Sequence, residues 1–280
     1  MEVKNIGVVG AGKMGNGIVL SAAMAGYTVI LQNRTEANLG KAQKEIEGQL
    51  EKMIQKSKIS DADRKATLAR ISMTSKFEKY DSLDFIIEVV AEDQKIKHDM
   101  LEKLDSICKK DAIIVSSTST FSITALAAAT KRPDKFAGMH FFIAPTKLVE
   151  ITRGHYTSDE TVKTIKAVSD KMGKIAVEVK KDSPGFIANR VYTPLFLEAF
   201  RAYEEGLATK EDIDKAMEAS YLPIGPFKLA DIIGLDVLKS GLDYYQAEFG
   251  ESWLAPQCLR QLIRAGRLGK KTGKGWYDYE

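Results

Sequence analysis

A chain of 280 residues holds one large or two unequal domains, and two are expected here. Its 41 basic residues against 38 acidic ones leave a net charge of +3, which argues against the concentrated positive field of a nucleic-acid binder and makes any cationic site local. Two cysteines, Cys108 and Cys258, rule out a disulfide framework and offer no zinc spacing, and no apolar run nears the ~20 residues of a membrane span, so the reading is a cytoplasmic protein without metal, nucleic-acid or membrane partners.

The first ten residues put charge directly before a short apolar run, with no long h-region or small-residue cleavage site, and so read as a first strand and not a signal. Short apolar runs then alternate with longer amphipathic stretches, the pattern of βαβ units in a buried parallel sheet. Strands are predicted over 3–9, 27–32, 71–74, 84–89 and 112–117, and helices over 13–26, 36–57, 62–69 and 95–109. Further strands follow over 136–142, 149–152 and 174–179, with a helix over 159–172. Ser183-Pro184-Gly185 marks a boundary, because proline bars a central strand and glycine permits a sharp redirection. Beyond it the pattern is helical over 186–206, 210–220, 227–249 and 256–265. The expected fold is therefore α/β: a mostly parallel, doubly wound sheet domain over 1–183, followed by a smaller all-α domain over 184–280.

Gly10-Ala11-Gly12-Lys13-Met14-Gly15 lies between the first strand and the first helix, the context that a dinucleotide-binding turn requires. One glycine makes the tight turn, the next lets the backbone approach a pyrophosphate, the third packs helix on strand, and the helix N-terminus offers free N–H donors. Gly10, Gly12, Lys13, Met14 and Gly15 are the expected pyrophosphate contacts. At the end of the second strand, where a carboxylate would select NAD, the chain reads Asn33-Arg34-Thr35. Asn33 has no charge to repel a 2′-phosphate, Arg34 can pair with one or stack on adenine, and Thr35 adds a hydroxyl. NADP(H) is the expected cofactor, with NAD(H) as the alternative; the plainer reading of Thr35 is a helix N-cap.

Of three histidines, His140 is the one embedded in an apolar strand-like run, and a return strand can bring the Glu150 carboxylate beside it as an acid–base dyad. A hydrogen-bonded core histidine fits the same pattern. The hydroxyl run Ser116-Ser117-Thr118-Ser119-Thr120 follows the fifth strand, where ligands bind in open parallel sheets, or else caps the next helix. Asn189 reaches toward the same site or lies on a helix surface, and the charge-rich stretch 41–58 reads as a solvated face.

With these features in place, the chain resembles the L-3-hydroxyacyl-CoA dehydrogenases, and among them the bacterial 3-hydroxybutyryl-CoA dehydrogenases. The resemblance rests on residues 7–17, 87–97, 130–150, 182–190, 211–217 and 268–279, in the family's order. It implies that His140 is the catalytic acid–base with Glu150 as its partner, and that Ser119 and Asn189 hydrogen-bond the reacting 3-oxygen. Glu92 and Lys97 then match residues near the nicotinamide and ribose, and Lys271 matches the lysine of a C-terminal Leu-Gly-x-Lys-x-Gly motif. Lys52 and Lys56 fall where the family meets the phosphates of coenzyme A, so an acyl-CoA substrate is implied, as is a homodimer formed through the helical domain, whose stripe from Val191 through Leu195 and Leu197 to Leu207 serves as interface or as core. Three departures stand out. Asn33 replaces the family's aspartate, Ser117 replaces an asparagine, and the loop Ile143-Ala144-Pro145 is shorter than usual and lacks an Asn-Pro pair. The last leaves open a different 3-oxo acid or carrier-bound acyl group as substrate, or a dinucleotide-binding protein without catalysis.

Overall fold

A computed structural model describes residues 2–142 and 146–279; the loop Ile143–Pro145 lies outside the described residues. The chain divides into two compact units, one running to Ser183 and the other from Pro184 onward.

The first unit is built on one sheet of eight strands: β1 (Asn5–Val9), β2 (Thr28–Gln32), β3 (Ile71–Thr74), β4 (Phe85–Glu88), β5 (Ile113–Ser116), β6 (Phe136–Phe141), β7 (Leu148–Arg153) and β8 (Ile175–Val179). Their order is β3-β2-β1-β4-β5-β6-β7-β8. β1 to β6 run parallel; β7 turns back antiparallel to β6 and β8 follows β7 in parallel. The central strands are apolar on both faces because helices cover both: Ile6, Val8, Phe85 and Ile87 are fully buried on one face, Ile86 and Ile114 on the other. The chain winds outward from β1 through β2 to β3, then returns to lay β4 on the other side of β1. The carboxyl ends of β1 and β4 thus flank a switch point, the place where such sheets take their ligands.

Helices α1 (Lys13–Met24), α2 (Glu36–Gln55), α3 (Asp61–Ala69), α4 (Gln94–Ile107), α5 (Ile123–Ala127) and α6 (Asp159–Lys171) complete this unit. α2 shows why the pattern forms a helix. Leu39, Ala42, Ile46 and Leu50 recur on one face and are buried, while the lysines between them are exposed. Starts are set by side-chain caps: Thr35 accepts from Asn38 N, Ser60 and Asp63 form a capping box, and Asp93 accepts from Ile96 N.

The second unit is helical: α7 (Ala188–Glu204), α8 (Lys210–Ser220), α9 (Pro226–Ile233), α10 (Leu235–Phe249) and α11 (Gln257–Arg264). Here the sequence reading needs a correction. The single helix expected over 227–249 is two helices, because Gly234 adopts φ +103° and ends the ladder, while the apolar period runs on unbroken through it. Phe200, Phe227 and Trp276 form the centre of this core, with Phe200 stacked on Trp276 at 4.9 Å and Trp276 edge-on to Phe227 at 4.6 Å. Buried Asp231 ties the C-terminal segment down by accepting from Trp276 N, Tyr277 N and the Tyr279 hydroxyl at 2.8–2.9 Å. Among the described residues no helix is long and apolar enough to cross a membrane.

Candidate active site

Ligand-binding geometry in the first unit is concentrated at the carboxyl ends of β1, β2, β4, β5 and β6. After β1, Gly10 takes φ +122°, and a Cβ there would meet the carbonyl of Val89. A Cβ on Gly15 would run into the Gly10 carbonyl oxygen, so α1 can approach the strand only with glycine at that point. Over Gly12 there is open space: a Cβ would meet nothing within 4 Å. Gly12 is also the N-cap of α1 and supplies no side-chain cap, so the first-turn N–H groups of α1 point outward unblocked by a side chain. This is a cradle for a pyrophosphate, and a dinucleotide fits it.

After β2, Asn33 is half-buried and Arg34 and Thr35 are exposed. Thr35 does cap α2. Among the described residues the Arg34 guanidinium has no ion-pair partner, and the same holds for Lys13, Lys52 and Lys56, all exposed.

The ends of β4 and β5 hold a network of which the sequence reading named Glu92, Lys97 and the hydroxyl run but missed Glu88. Glu88, the last residue of β4, is fully buried, and Lys97 of α4 is 1% exposed. The Lys97 ammonium lies 3.0 Å from Glu88 Oε1 and 3.1 Å from Glu92 Oε2. Glu88 also accepts from the Ser116 hydroxyl and, at 2.7 Å, from Val90 N. Glu92 accepts from the Thr118 hydroxyl, from Ser119 N at 2.9 Å and from Thr120 N at 3.2 Å. Burying such a cluster is costly unless every lone pair is used, and here nearly all are. Expected as a cofactor contact, Lys97 is instead enclosed by two carboxylates, whereas the Glu92 side chain stays 39% exposed. The available signal was an acid closing an otherwise apolar strand, Phe85-Ile86-Ile87-Glu88.

Within the hydroxyl run, Ser116 and Thr118 are consumed by these carboxylates, and the cap of α5 is Ser122, outside the run. Among the described residues the Ser119 hydroxyl makes no hydrogen bond, and that of Ser117 is buried without a partner. On the far side of the loop Asp182 accepts from the Ser122 hydroxyl, Ile123 N and Thr124 N, so carboxylates hold the Ser119 segment from both ends.

His140 and Glu150 face each other directly across the β6–β7 pair. Nδ1 of His140 is 2.9 Å from Oε2 of Glu150, with residue exposures of 3% and 1%. The pair sits at the end of β6, with the Phe142 ring 4.4 Å from the imidazole. Gly138, on the same face, lets the Ile123 side chain of α5 pack tightly against the sheet. On the opposite face of the sheet, at the same end, lies a cavity of about 430 Å³ lined by Lys13, Met14, Met53, Phe141, Phe142 and Lys174 among others. Burial, and then the neighbouring charge of Lys147, push the Lys174 ammonium below its ordinary pKa. In the second unit, Asn189 lies in the first turn of α7 and Lys271 is ion-paired to Asp236.

Known proteins match this chain over both units. Residues 5–183 match the family described as 3-hydroxyacyl-CoA dehydrogenase, NAD binding domain, and residues 185–279 match its C-terminal domain. A 3-hydroxybutyryl-CoA dehydrogenase of Clostridioides difficile is 40% identical, covering 98% of this chain and 99% of that protein. The mitochondrial hydroxyacyl-coenzyme A dehydrogenase of Sus scrofa is 40% identical over 99% of this chain and 92% of its own. The crystal structure of (S)-3-hydroxybutyryl-CoA dehydrogenase from Ralstonia eutropha superposes with a TM-score of 0.97 at 39% identity, covering 100% of both chains. A doubly wound sheet with a glycine cradle, a histidine–glutamate pair on its sixth and seventh strands and a helical second unit, matched end to end at this identity, makes the chain a member of the 3-hydroxyacyl-CoA dehydrogenase family.

Proposed function

We propose that this protein is an NADP(H)-preferring dehydrogenase that interconverts short-chain 3-oxoacyl-CoA and 3-hydroxyacyl-CoA, typified by acetoacetyl-CoA and 3-hydroxybutyryl-CoA, with His140 and Glu150 as its acid–base dyad. The observation that carries the reading is the buried 2.9 Å contact between His140 Nδ1 and Glu150 at the ligand-binding end of the sheet.

Bound reduced nicotinamide supplies the hydride that C3 of the substrate receives. Glu150 accepts a hydrogen bond from Nδ1–H of His140, which fixes the ring and directs Nε2 to the reacting oxygen. In the reductive direction Nε2 donates a proton to the oxygen of the former carbonyl; in the oxidative direction it takes the hydroxyl proton. The Glu150 carboxylate balances the ring's positive charge whenever Nε2 carries its proton, and the ring is neutral once that proton has passed to the oxygen. Ser119 and Asn189 donate hydrogen bonds to the same oxygen, and these strengthen as negative charge develops on it. The Glu88–Lys97–Glu92 network holds Ser119 in place, and Lys97 acts through Glu92.

Gly10, Gly12, Lys13, Met14 and Gly15 hold the pyrophosphate, Glu92 and Lys271 are further cofactor contacts, and Asn33, Arg34 and Thr35 receive the adenosine ribose. The unpaired Arg34 guanidinium and the absence of a carboxylate at 33 favour the 2′-phosphate. Lys52 and Lys56 on α2, beside the Met53 wall of the cavity, suit the phosphates of coenzyme A. The second unit forms a homodimer, a reading supported by the exposed apolar side chains of Ile187, Val191 and Leu207. The test is a set of initial rates: acetoacetyl-CoA with NADPH, acetoacetyl-CoA with NADH, and free acetoacetate with NADPH. The first should be fastest. A faster rate with the free acid would overturn the carrier, and a faster rate with NADH the cofactor.

A further inference from the structure

The loop after β2 contains a clamp that settles which end of the Asn33 amide faces outward. Its side-chain carbonyl Oδ1 accepts from Thr35 N at 3.3 Å and from the Asn38 Nδ2 group at 3.2 Å. A backbone N–H can only donate, so the atom it meets on Asn33 is the oxygen and the amide orientation is fixed by chemistry. With both inward donors on Oδ1, the Nδ2 group of Asn33 points away from them, and among the described residues it makes no hydrogen bond. The terminal torsion of an asparagine is soft, and one contact at 3.3 Å holds it weakly; the second donor supplies the constraint. Asn38 is exposed on the first turn of α2, and its backbone N–H, not its side chain, is what Thr35 caps. Its amide is therefore not needed for the helix start.

We propose that Asn38 is a specificity-determining positioning residue: by holding Oδ1 of Asn33 inward, it presents the Asn33 amide to the cofactor as a donor only. A 2′-phosphate has acceptors only and matches that group. A ribose 2′-hydroxyl can accept one bond from that group, but its own proton finds no acceptor on a clamped Asn33, so it gains less from the clamp than a phosphate does. Asn38 thus discriminates between the two dinucleotides without touching either. This rests on the NADP(H) reading above.

The test uses calorimetric titration of the full chain with 2′,5′-ADP and with 5′-AMP, which differ only in the 2′-phosphate. The wild type should prefer 2′,5′-ADP. Asn38→Ala, which keeps the backbone N–H that Thr35 caps, should lose about three- to tenfold of its 2′,5′-ADP affinity, in the range of one ordinary hydrogen bond, with 5′-AMP affinity unchanged. An unchanged affinity ratio in Asn38→Ala, including equal losses for both ligands, overturns the role of Asn38 and leaves the NADP(H) reading standing. No preference in the wild type overturns both. Asn38→Gln, whose longer amide still carries a donor, should recover part of the ratio, and its failure to exceed Asn38→Ala would count against the clamp.

Discussion

Both units bury carboxylates, and they satisfy them in opposite ways. In the sheet unit Glu88 and Glu150 are matched with basic side chains, Lys97 and His140, at the carboxyl ends of strands. In the helical unit Asp214 and Asp231 accept from backbone N–H groups and tyrosine hydroxyls: Phe227 N, Lys228 N and Tyr277 for the first, Trp276 N, Tyr277 N and Tyr279 for the second. An acid held by main-chain donors ties two segments together. An acid held by a proton-carrying or mobile cation can pass on charge or position. The same chemical group, a buried carboxylate, is a fastener in the helical unit and, on the proposed function, a working part in the sheet unit.

The comparison breaks first at His140. His140→Gln keeps a donor for Glu150 but cannot exchange protons, so turnover should fall by roughly 10²–10⁴-fold, the usual worth of a general acid, while NADPH binding and the unfolding midpoint stay near wild type. Steady-state rates beside a fluorescence titration check this. Equal turnover in the variant would make the pair a core contact only. Next, Lys97→Met strips the cation from two carboxylates and should cost about 3 kcal/mol in denaturant unfolding, because among the described residues Glu88 has no other cation. It should also weaken NADPH binding through the Ser119 loop. Asp231→Ala should cost about 2 kcal/mol by leaving main-chain donors of the C-terminal segment unmet, with NADPH affinity unmoved. A loss of cofactor binding there would erase the distinction between the units.

Acid sharpens the contrast with smaller effects. Burial pushes Asp84 up, but the Lys109 ammonium and the N–H groups of Lys4 and Asn5 outweigh it, and its carboxyl ends below the ordinary range. Its contribution is present above the unfolded value and is lost as pH falls through the lower folded value. Burial dominates at Asp214 despite its N–H and tyrosine donors, and raises it. That group costs stability as pH rises from the ordinary value through its raised one, and returns it on acidification. Asp84→Asn should flatten the acid limb of the stability curve and Asp214→Asn should steepen it; identical slopes would contradict both assignments. The smallest expected signal comes from the thiols. Burial pushes Cys108 and Cys258 up to about 12, with the Glu204 carboxylate adding to the effect at Cys258, so iodoacetamide at pH 8 should label neither until the protein unfolds.

Much of this architecture was legible because it follows from periodicity. β3 falls on the predicted residues, and the other strands end within two residues of expectation, since buried parallel strands are unbroken apolar runs and their helices carry one apolar stripe. Gly234 escaped because an apolar period passes over a glycine unchanged; only its φ shows that the helix stops. The opposition of His140 and Glu150 was visible as a strand and a return strand, yet its closeness depends on the β6–β7 register. Glu88 and Asp182 were missed for a common reason. Each acts on a backbone or side chain that the fold brings near it, and no spacing rule marks a residue whose partner is set by topology.

The clamp on Asn33 has one more consequence, for how such a protein changes over time. Both inward bonds end on a side-chain oxygen, and an aspartate carries an oxygen in the same place. Exchanging the two would leave the Thr35 cap, the start of α2 and the end of β2 as they are. The structural distance between a chain built for one dinucleotide and a chain built for the other is then a single heteroatom, nitrogen or oxygen, on an unaltered backbone.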